Sequence, residues 1–433
     1  MSDRRHGGLL RHHHDFRLLW CGETTGRLGA SVTAVALPLA AVSTLHAGTF
    51  EVGLLSACAW LPWLVIGLPA GVLVDRLRRR PVMLAAAGAS LALFAAVPVA
   101  ARLGALTMGL LLVVTLLTGT AAVFFQTAYS AYLPTLLAPE DQAEGNAKLQ
   151  GSAAAAQIAG RGAGGLFAQL AGAVDALYVN AATFLVSLLC LSGIRHREPR
   201  PAPAAPGARR TRMTGDIAAG LRLVAGDPWL RTLTLFGAAS NLALMAYQSI
   251  QVPFLVRHVG LSPGAVGALV AAASAGGVAG ALLVHRVAAR TGTARATLLF
   301  EAGLAVPALL IPLTTRGAGV LLYAAGGFCV SAGVVAGNVL KAGFQQRRCP
   351  PHLLGRITAG TTFLNYGTLP VGALLGGTLG TVLGLPAALW ISTAGVPLAG
   401  LVLLLSPLRT ARDLPTDPLP TGGTAPARAG AAG

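Results

Sequence analysis

Apolar stretches long enough for an α-helix to cross a bilayer, about 20 residues each, recur along nearly the whole chain between short runs of charged and turn-forming residues. Twelve such windows are present, at residues 17–44, 50–75, 81–102, 105–132, 145–172, 174–194, 229–256, 263–286, 292–313, 317–344, 354–383 and 385–406. The expected fold class is an all-α polytopic membrane protein with twelve transmembrane helices. The first window follows Arg4, Arg5, His12, His13 and His14 and has no small-residue cleavage site behind a compact apolar stretch. It is therefore expected to be a retained helix, not a signal peptide.

The pattern breaks after the sixth window. Pro199, Pro201, Pro203 and Pro206 lie among arginines between Arg195 and Arg212, which is the composition of a linker. Asp216 to Gly226 then predicts a short amphipathic helix with Ile217, Leu221 and Val224 on one face, lying along the membrane surface before Pro228 and Trp229 open the next span. The expected organisation is a six-helix bundle over 1–194, a cytoplasmic linker with an amphipathic helix over 195–228, a second six-helix bundle over 229–408, and a disordered cytoplasmic tail over 409–433.

Composition agrees with the pattern: 54% of residues are hydrophobic, 11% are charged, and the mean hydropathy is +0.67. A soluble chain of 433 residues could not bury that much apolar surface. The net charge of +17 is distributed as topology information. With the amino terminus inside, the cytoplasmic segments receive Arg76, Arg78, Arg79, Arg80, Arg195, Arg197, Arg200, Arg209, Arg210, Arg212, Arg286, Arg290, Arg295, Arg347 and Arg348, and the opposite face only Arg102, Arg257 and Arg316. That is the positive-inside pattern of a multi-pass cell-membrane protein with both termini cytoplasmic, and it argues against a nucleic-acid partner. The five cysteines show no paired spacing, and His12 to His14 have no further ligands in sequence, so neither a disulfide, a metal site nor a cofactor is expected.

The halves repeat. Pro139, Gly164, Gly165 and Tyr178 match Pro351, Gly376, Gly377 and Trp390 at a constant offset of 212. Nearer the front of each half, Val52-Gly53 matches Val266-Gly267 at 214 and Asp75-Arg76 matches His285-Arg286 at 210. A register held through helices and loops indicates an internal repeat. Six spans per copy make the copies parallel, with a substrate site near the midplane between them.

The turn Gly71-Val72-Leu73-Val74-Asp75-Arg76-Leu77-Arg78-Arg79-Arg80 carries a resemblance. It is similar to the loop between helices two and three of the major facilitator superfamily, Gly-x-Leu-x-Asp-Arg-x-Gly-Arg-Arg, at Gly71, Leu73, Asp75, Arg76, Arg79 and Arg80, with Arg78 in place of the second glycine. Asp15 to Trp20, Val35 to Leu39, Gly67 to Gly71, Asn180 to Ser187 and Leu353 to Arg356 resemble the exporter branch that holds enterobactin exporters and macrolide efflux proteins. The resemblance covers residues 15 to 408 and implies two parallel six-helix repeats, a small-molecule substrate and a gating role for the turn. In the family this loop latches the outward-facing state against the start of helix eleven, near Leu354; without that role it is a solvated turn. The second copy has His285 in place of the acid, so the latch is expected to be asymmetric.

Charges inside a span need a partner, a cavity or a neutral state. Glu23 and Arg27, four apart on helix one, share a face, and the resemblance implies that this helix borders the cavity. Two roles stay open: Glu23 titrating in proton exchange, or Glu23 simply neutralised by Arg27. Gln157 to Gly165 resembles the antiporter motif of drug exporters, with Arg161 where that motif has proline. Gly160, Gly164 and Gly165, like Gly376 and Gly377 in the other copy, suit close helix packing. Arg161 is left to attract an anionic substrate or to pair with a carboxylate such as Glu23. The formal Gly-x-Gly-x-x-Gly at Gly160, Gly162 and Gly165 lacks the preceding strand and following acid of a dinucleotide site. By analogy, Gln126, Tyr129, Asn241, Gln248, Gln251, Asn338 and Lys341 line the cavity, while Glu301 on peripheral helix nine is either interhelical or proton-coupled.

No nucleotide-binding loop and no nucleophile with its base is recognisable, which disfavours an ATP-driven pump and an enzyme. The expected function is export of a small organic molecule (a drug, antibiotic or siderophore-like compound) by proton antiport, from a monomer; an importer of the same fold and a non-transporting receptor or scaffold are the alternatives. Asp75→Asn is expected to impair cycling severely in a transport assay. Unchanged transport by that variant would remove the latch.

Overall fold

The structure, a computed structural model, describes residues 8–74, 76–196, 198 and 213–417, and these form a helical body. The first half comprises α1 (His14–Ser43), α2 (Thr49–Val65, continued by Gly67–Val74), α3 (Arg79–Arg102), α4 (Met108–Leu136), α5 (Gln142–Leu170) and α6 (Ala176–Gly193). A linker helix, Met213–Gly226, precedes α7 (Pro228–Pro253), α8 (Pro263–Thr291), α9 (Thr293–Leu313), α10 (Val320–Arg348), α11 (Pro351–Val382) and α12 (Leu385–Leu404). Local signals start these helices. The Thr107 hydroxyl accepts from Leu110 N at 3.2 Å before α4, and Asp227 Oδ1 accepts from Trp229 N and Leu230 N at 2.9 Å each around Pro228, the first residue of α7.

Among the described residues, α1, α3, α4, α6, α8, α9, α10 and α12 are long and apolar enough to cross a membrane. The helices α2, α5, α7 and α11 fall outside that set, α2 because its apolar run Thr49–Val65 is short, and all four pack at the joint between halves, where protein instead of lipid covers part of their surface. Elsewhere large apolar side chains face outward, as Leu282, Leu321 and Leu398 do, which suits hydrocarbon and not water.

The halves meet at the end away from the chain termini. There α5 crosses α8 and α2 crosses α11 with almost no side-chain spacer. A Cβ on Gly165 would stand 2.5 Å from the Gly267 Cα, and one on Gly53 would stand 2.8 Å from the Gly377 Cα. Arg257 adds a hydrogen bond of 2.5 Å to the Ala47 carbonyl, and Gln169 Oε1 accepts from Gly264 N at 3.0 Å. The largest apolar cluster fills this end, joining Val32 to Val42 of α1 with Ala243 to Val252 of α7, Phe254 and Leu255 just after it, and the first turn of α12. Toward the termini the helices part: Gly67–Val74 packs on α4, and a Cβ on Gly26, Gly151 or Gly355 would meet nothing within 4 Å.

Three expectations change. The window 263–286 runs on to Thr291, because nothing breaks the helix before Gly292 at φ +91°; His285 and Arg286 therefore sit within α8, exposed, and not in a loop. The linker helix has a protein partner that the sequence did not announce: its Gly220 abuts the Arg356 carbonyl of α11, and Val224 is buried with Leu230, Phe236 and Ile357. The first residues assigned to the tail are docked. Leu408 and Leu414 are buried in the same cluster, Asp413 Oδ1 accepts from Thr293 N at 2.8 Å, and Arg348 Nη1 donates to the Asp417 carbonyl at 2.6 Å. Residues 418–433, like most of the proline-rich linker, lie outside the described residues.

Gly165→Leu is expected to hold the crossing open, since any side chain there displaces backbone. Labelling of Gln169→Cys by an impermeant maleimide, with the five native cysteines removed, should rise several-fold. Unchanged labelling would mean that the crossing accommodates a side chain.

Candidate functional site

Four charged constellations lie among the helices and at their ends. The first is the turn after α2, of which Asp75 lies outside the described residues. Its neighbours Leu73 and Arg76 are exposed, and Gly71 has open space where a Cβ would be. Arg79 and Arg80 are anchored inside the first half. Glu198 Oε2 accepts from the amides of Arg79 and Arg80 at 2.7 and 3.2 Å, and its Oε1 lies 3.3 Å from Arg79 Nη1. A carboxylate at the start of α3 suits both the free amides and the helix dipole. Arg80 also donates to the carbonyls of Leu191 and Ser192 at the end of α6. Glu198 stands 119 residues from Arg79, and no local pattern announces it.

The second constellation is on α1 and α4. Arg27 Nε donates to Glu23 Oε1 at 2.7 Å and Arg27 Nη2 to Gln126 Oε1 at 3.2 Å. The side chain of Glu23 is 9% exposed and that of Arg27 45%, so the acid is buried and its cation half exposed. Tyr129, one turn beyond Gln126, is buried and stacks on Phe125. Carboxylate, guanidinium and amide thus form one chain of hydrogen bonds from α1 to α4.

The third lies at the joint. Arg161 does not reach Glu23; its Nη1 donates to the Ser274 hydroxyl of α8, across the halves. Gly160 and Gly164 press α5 onto α1, with Cβ positions 2.6 Å from the Leu28 carbonyl and 2.7 Å from the Val32 carbonyl. Gly376 plays the corresponding part in α11 against the Ala246 carbonyl of α7, while Gly165 and Gly377 make the crossings. Nearby, Tyr323 donates to Gln251 Oε1 at 2.6 Å, and the Asn241 amide points at the carbonyl of Asn365 on α11. Gln248 and Asn338 are exposed. Ser274, Tyr247, Tyr323 and Asn365 were not among the expected residues; serine, tyrosine and asparagine in a span are common, and only the fold brings them to the joint.

The fourth is closed. Lys341, expected at the cavity, sits with its Nζ 3.0 Å from Glu301 Oε1 and 5.5 Å from the centre of the Phe236 ring. Glu301 lies in a π-helical turn, Leu299–Gly303, that gives α9 one extra residue, and its carboxylate fills the place a Cβ on Gly337 would take. The side chains are 3% and 22% exposed, so this is an interhelical ion pair of the second half.

The model for the Major Facilitator Superfamily matches residues 19–369. The chain belongs to the major facilitator superfamily. It is a multi-pass membrane transporter of small molecules, not an enzyme. The chain is 29% identical to the multidrug efflux pump Tap of Mycolicibacterium fortuitum, covering 96% of this chain and 100% of that protein. It is 27% identical to Tap of Mycobacterium tuberculosis (strain ATCC 25618 / H37Rv), covering 89% and 92%. It is also 27% identical to the enterobactin exporter EntS of Citrobacter koseri, covering 96% and 97%. Among solved structures, the nucleoside transporter NupG superposes with a TM-score of 0.73 at 13% identity over 90% of this chain and 99% of that one. A bacterial homologue of the iron transporter ferroportin in an inward-facing state gives 0.72 at 17% identity over 92% and 99%. These likenesses establish the major facilitator fold.

Removing one member of a buried ion pair costs about 3–5 kcal/mol, because the other is left charged and alone. Glu301→Gln and Lys341→Met should each lower the thermal unfolding temperature in detergent clearly, and the double variant should recover much of the loss. Additive losses would show that the two do not act as a pair.

Proposed function

We propose that this transporter exports a small organic molecule across the cell membrane, with both termini in the cytoplasm, by alternating access driven by proton entry. The observation that carries the export reading is near full-length similarity to proteins named as a multidrug efflux pump and an enterobactin exporter. The arginine-rich segments between windows supply the orientation, because they gather on the side of the termini. In that orientation the protein is closed toward the outside and parted toward the cytoplasm, the state in which an exporter loads.

Glu23 is the group we assign to the proton. It lies inside the membrane, on a helix that borders the parted side, and its carboxylate is bound to a cation that is half exposed. Protonation removes the charge that holds Arg27, so the hydrogen bonds of Arg27 to Glu23 and Gln126 can re-form around a substrate or another helix. Glu301 is the weaker assignment, since Lys341 encloses it within one half. The twelve-span count and the latch at Asp75 belong to the same proposal.

Inside-out proteoliposomes, loaded by an imposed pH gradient, test this. Uptake of a multidrug-type substrate should collapse when the gradient is dissipated, and Glu23→Gln should bring gradient-driven uptake to the level of protein-free vesicles while leaving the protein folded. Uptake only into right-side-out vesicles would favour the importer, and no movement of any compound would favour a scaffold.

A further inference from the structure

We infer that Arg161 and Ser274 form a subsite, shared by the two halves, that receives an acidic group of the transported molecule: a carboxylate, sulfonate, phosphate or acidic phenol. The inference rests on the transport reading and narrows it to substrates that carry a negative charge. It begins with a charge census. The two carboxylates deep within the helices, Glu23 and Glu301, already face Arg27 and Lys341 at 2.7 and 3.0 Å. Arg161 is the third cation at this depth, and among the described residues no carboxylate lies within ion-pair distance of it. Its hydrogen-bond acceptor is a neutral hydroxyl, and that hydroxyl is itself occupied in donating to the Val270 carbonyl at 2.6 Å. A hydroxyl lone pair accepts a hydrogen bond but cancels no charge.

A guanidinium inside a membrane is costly to keep unneutralised, and the fold makes no provision to remove it to the surface. Gly160 and Gly164 fix α5 against α1 on either side of the arginine, and Gly165 fixes it against α8. The head group is thereby held at the boundary of the halves, where the surrounding ionisable groups are the phenols of Tyr247 and Tyr323. Tyr323 is engaged with Gln251; both rings are buried. A fixed guanidinium attracts an anion and repels a cationic ligand, and its N–H groups can donate to the oxygens of an acid.

The arrangement also couples binding to closure. Arg161 belongs to the first half and Ser274 to the second, so their bond helps tie the end that is shut. An acid that takes the guanidinium competes with Ser274 for the same N–H groups. Loading the substrate therefore weakens the very contact that must break for release on the other side.

The test uses full-length protein in lipid nanodiscs and two probes with the same body: a dansylated undecanoic acid and its methyl ester. The wild type should bind the acid saturably and more tightly than the ester. Arg161→Gln should weaken the acid about ten- to hundredfold, the scale of a lost charge-assisted hydrogen bond, and leave the ester unchanged, while Arg161→Lys should restore part of the preference. Ser274→Ala should keep or raise the acid's affinity and increase outer-side labelling of Gln169→Cys. Equal binding of acid and ester, no saturable binding of the acid, or a parallel loss of both in Arg161→Gln would overturn the subsite. An Arg161-dependent preference in a protein that moves no compound would instead sink the export reading and leave the subsite standing.

Discussion

The approach of bare backbone to bare backbone, glycine on glycine, is the constraint on which this architecture depends. In a bilayer helices gain nothing by hiding apolar surface from lipid that is equally apolar, so association relies on close packing and interhelical hydrogen bonds. Gly165 with Gly267 and Gly53 with Gly377 provide that closeness twice, at positions related by the internal repeat. The two crossings lie at one end of the molecule, which leaves the other end free to part. The placement of Arg161 follows from the same constraint, since the glycines around it leave α5 little freedom to rotate.

The halves treat intramembrane charge differently. In the second, Glu301 and Lys341 neutralise one another between α9 and α10, and the π-helical turn and Gly337 make the room they need. In the first, Glu23 is inside while Arg27 looks out. One pair is a structural fastener; the other retains a partner that solvent or substrate can reach. A duplicated fold has thus become unequal without losing the symmetry of its joints: Asp15 and Asp227, at the repeat offset, both serve helix ends, the former accepting from Arg195 N and His196 N and the latter capping α7 and meeting Arg348.

Periodicity made the helices legible, and the offset of Gly164-Gly165 from Gly376-Gly377 made the repeat legible in the sequence. The Glu23–Arg27 pair was legible because both residues lie on one helix. Pairings between helices were not. Ser274, Asn365 and Glu198 carry no signal of their own, and their partners stand 113 to 124 residues away in sequence, that of Ser274 across the joint and the others within one half. The docked segment around Leu408 and Leu414 was misread because proline and threonine suggest a solvated tail, whereas two leucines and one aspartate suffice to seat it on the start of α9. His285 was misassigned to a loop by analogy with Asp75, although no breaker precedes Gly292.

Tyr366 of α11 sits edge-on to both Trp60 and Trp63 of α2, with ring centres 6.0 and 5.7 Å away. These rings lie in the contact between α2 and α11, on opposite halves of the molecule. Any rocking of one half against the other changes the polarity around two of the five indoles of the chain. The transporter consequently carries an optical gauge of its own conformation, readable in tryptophan emission without an attached label.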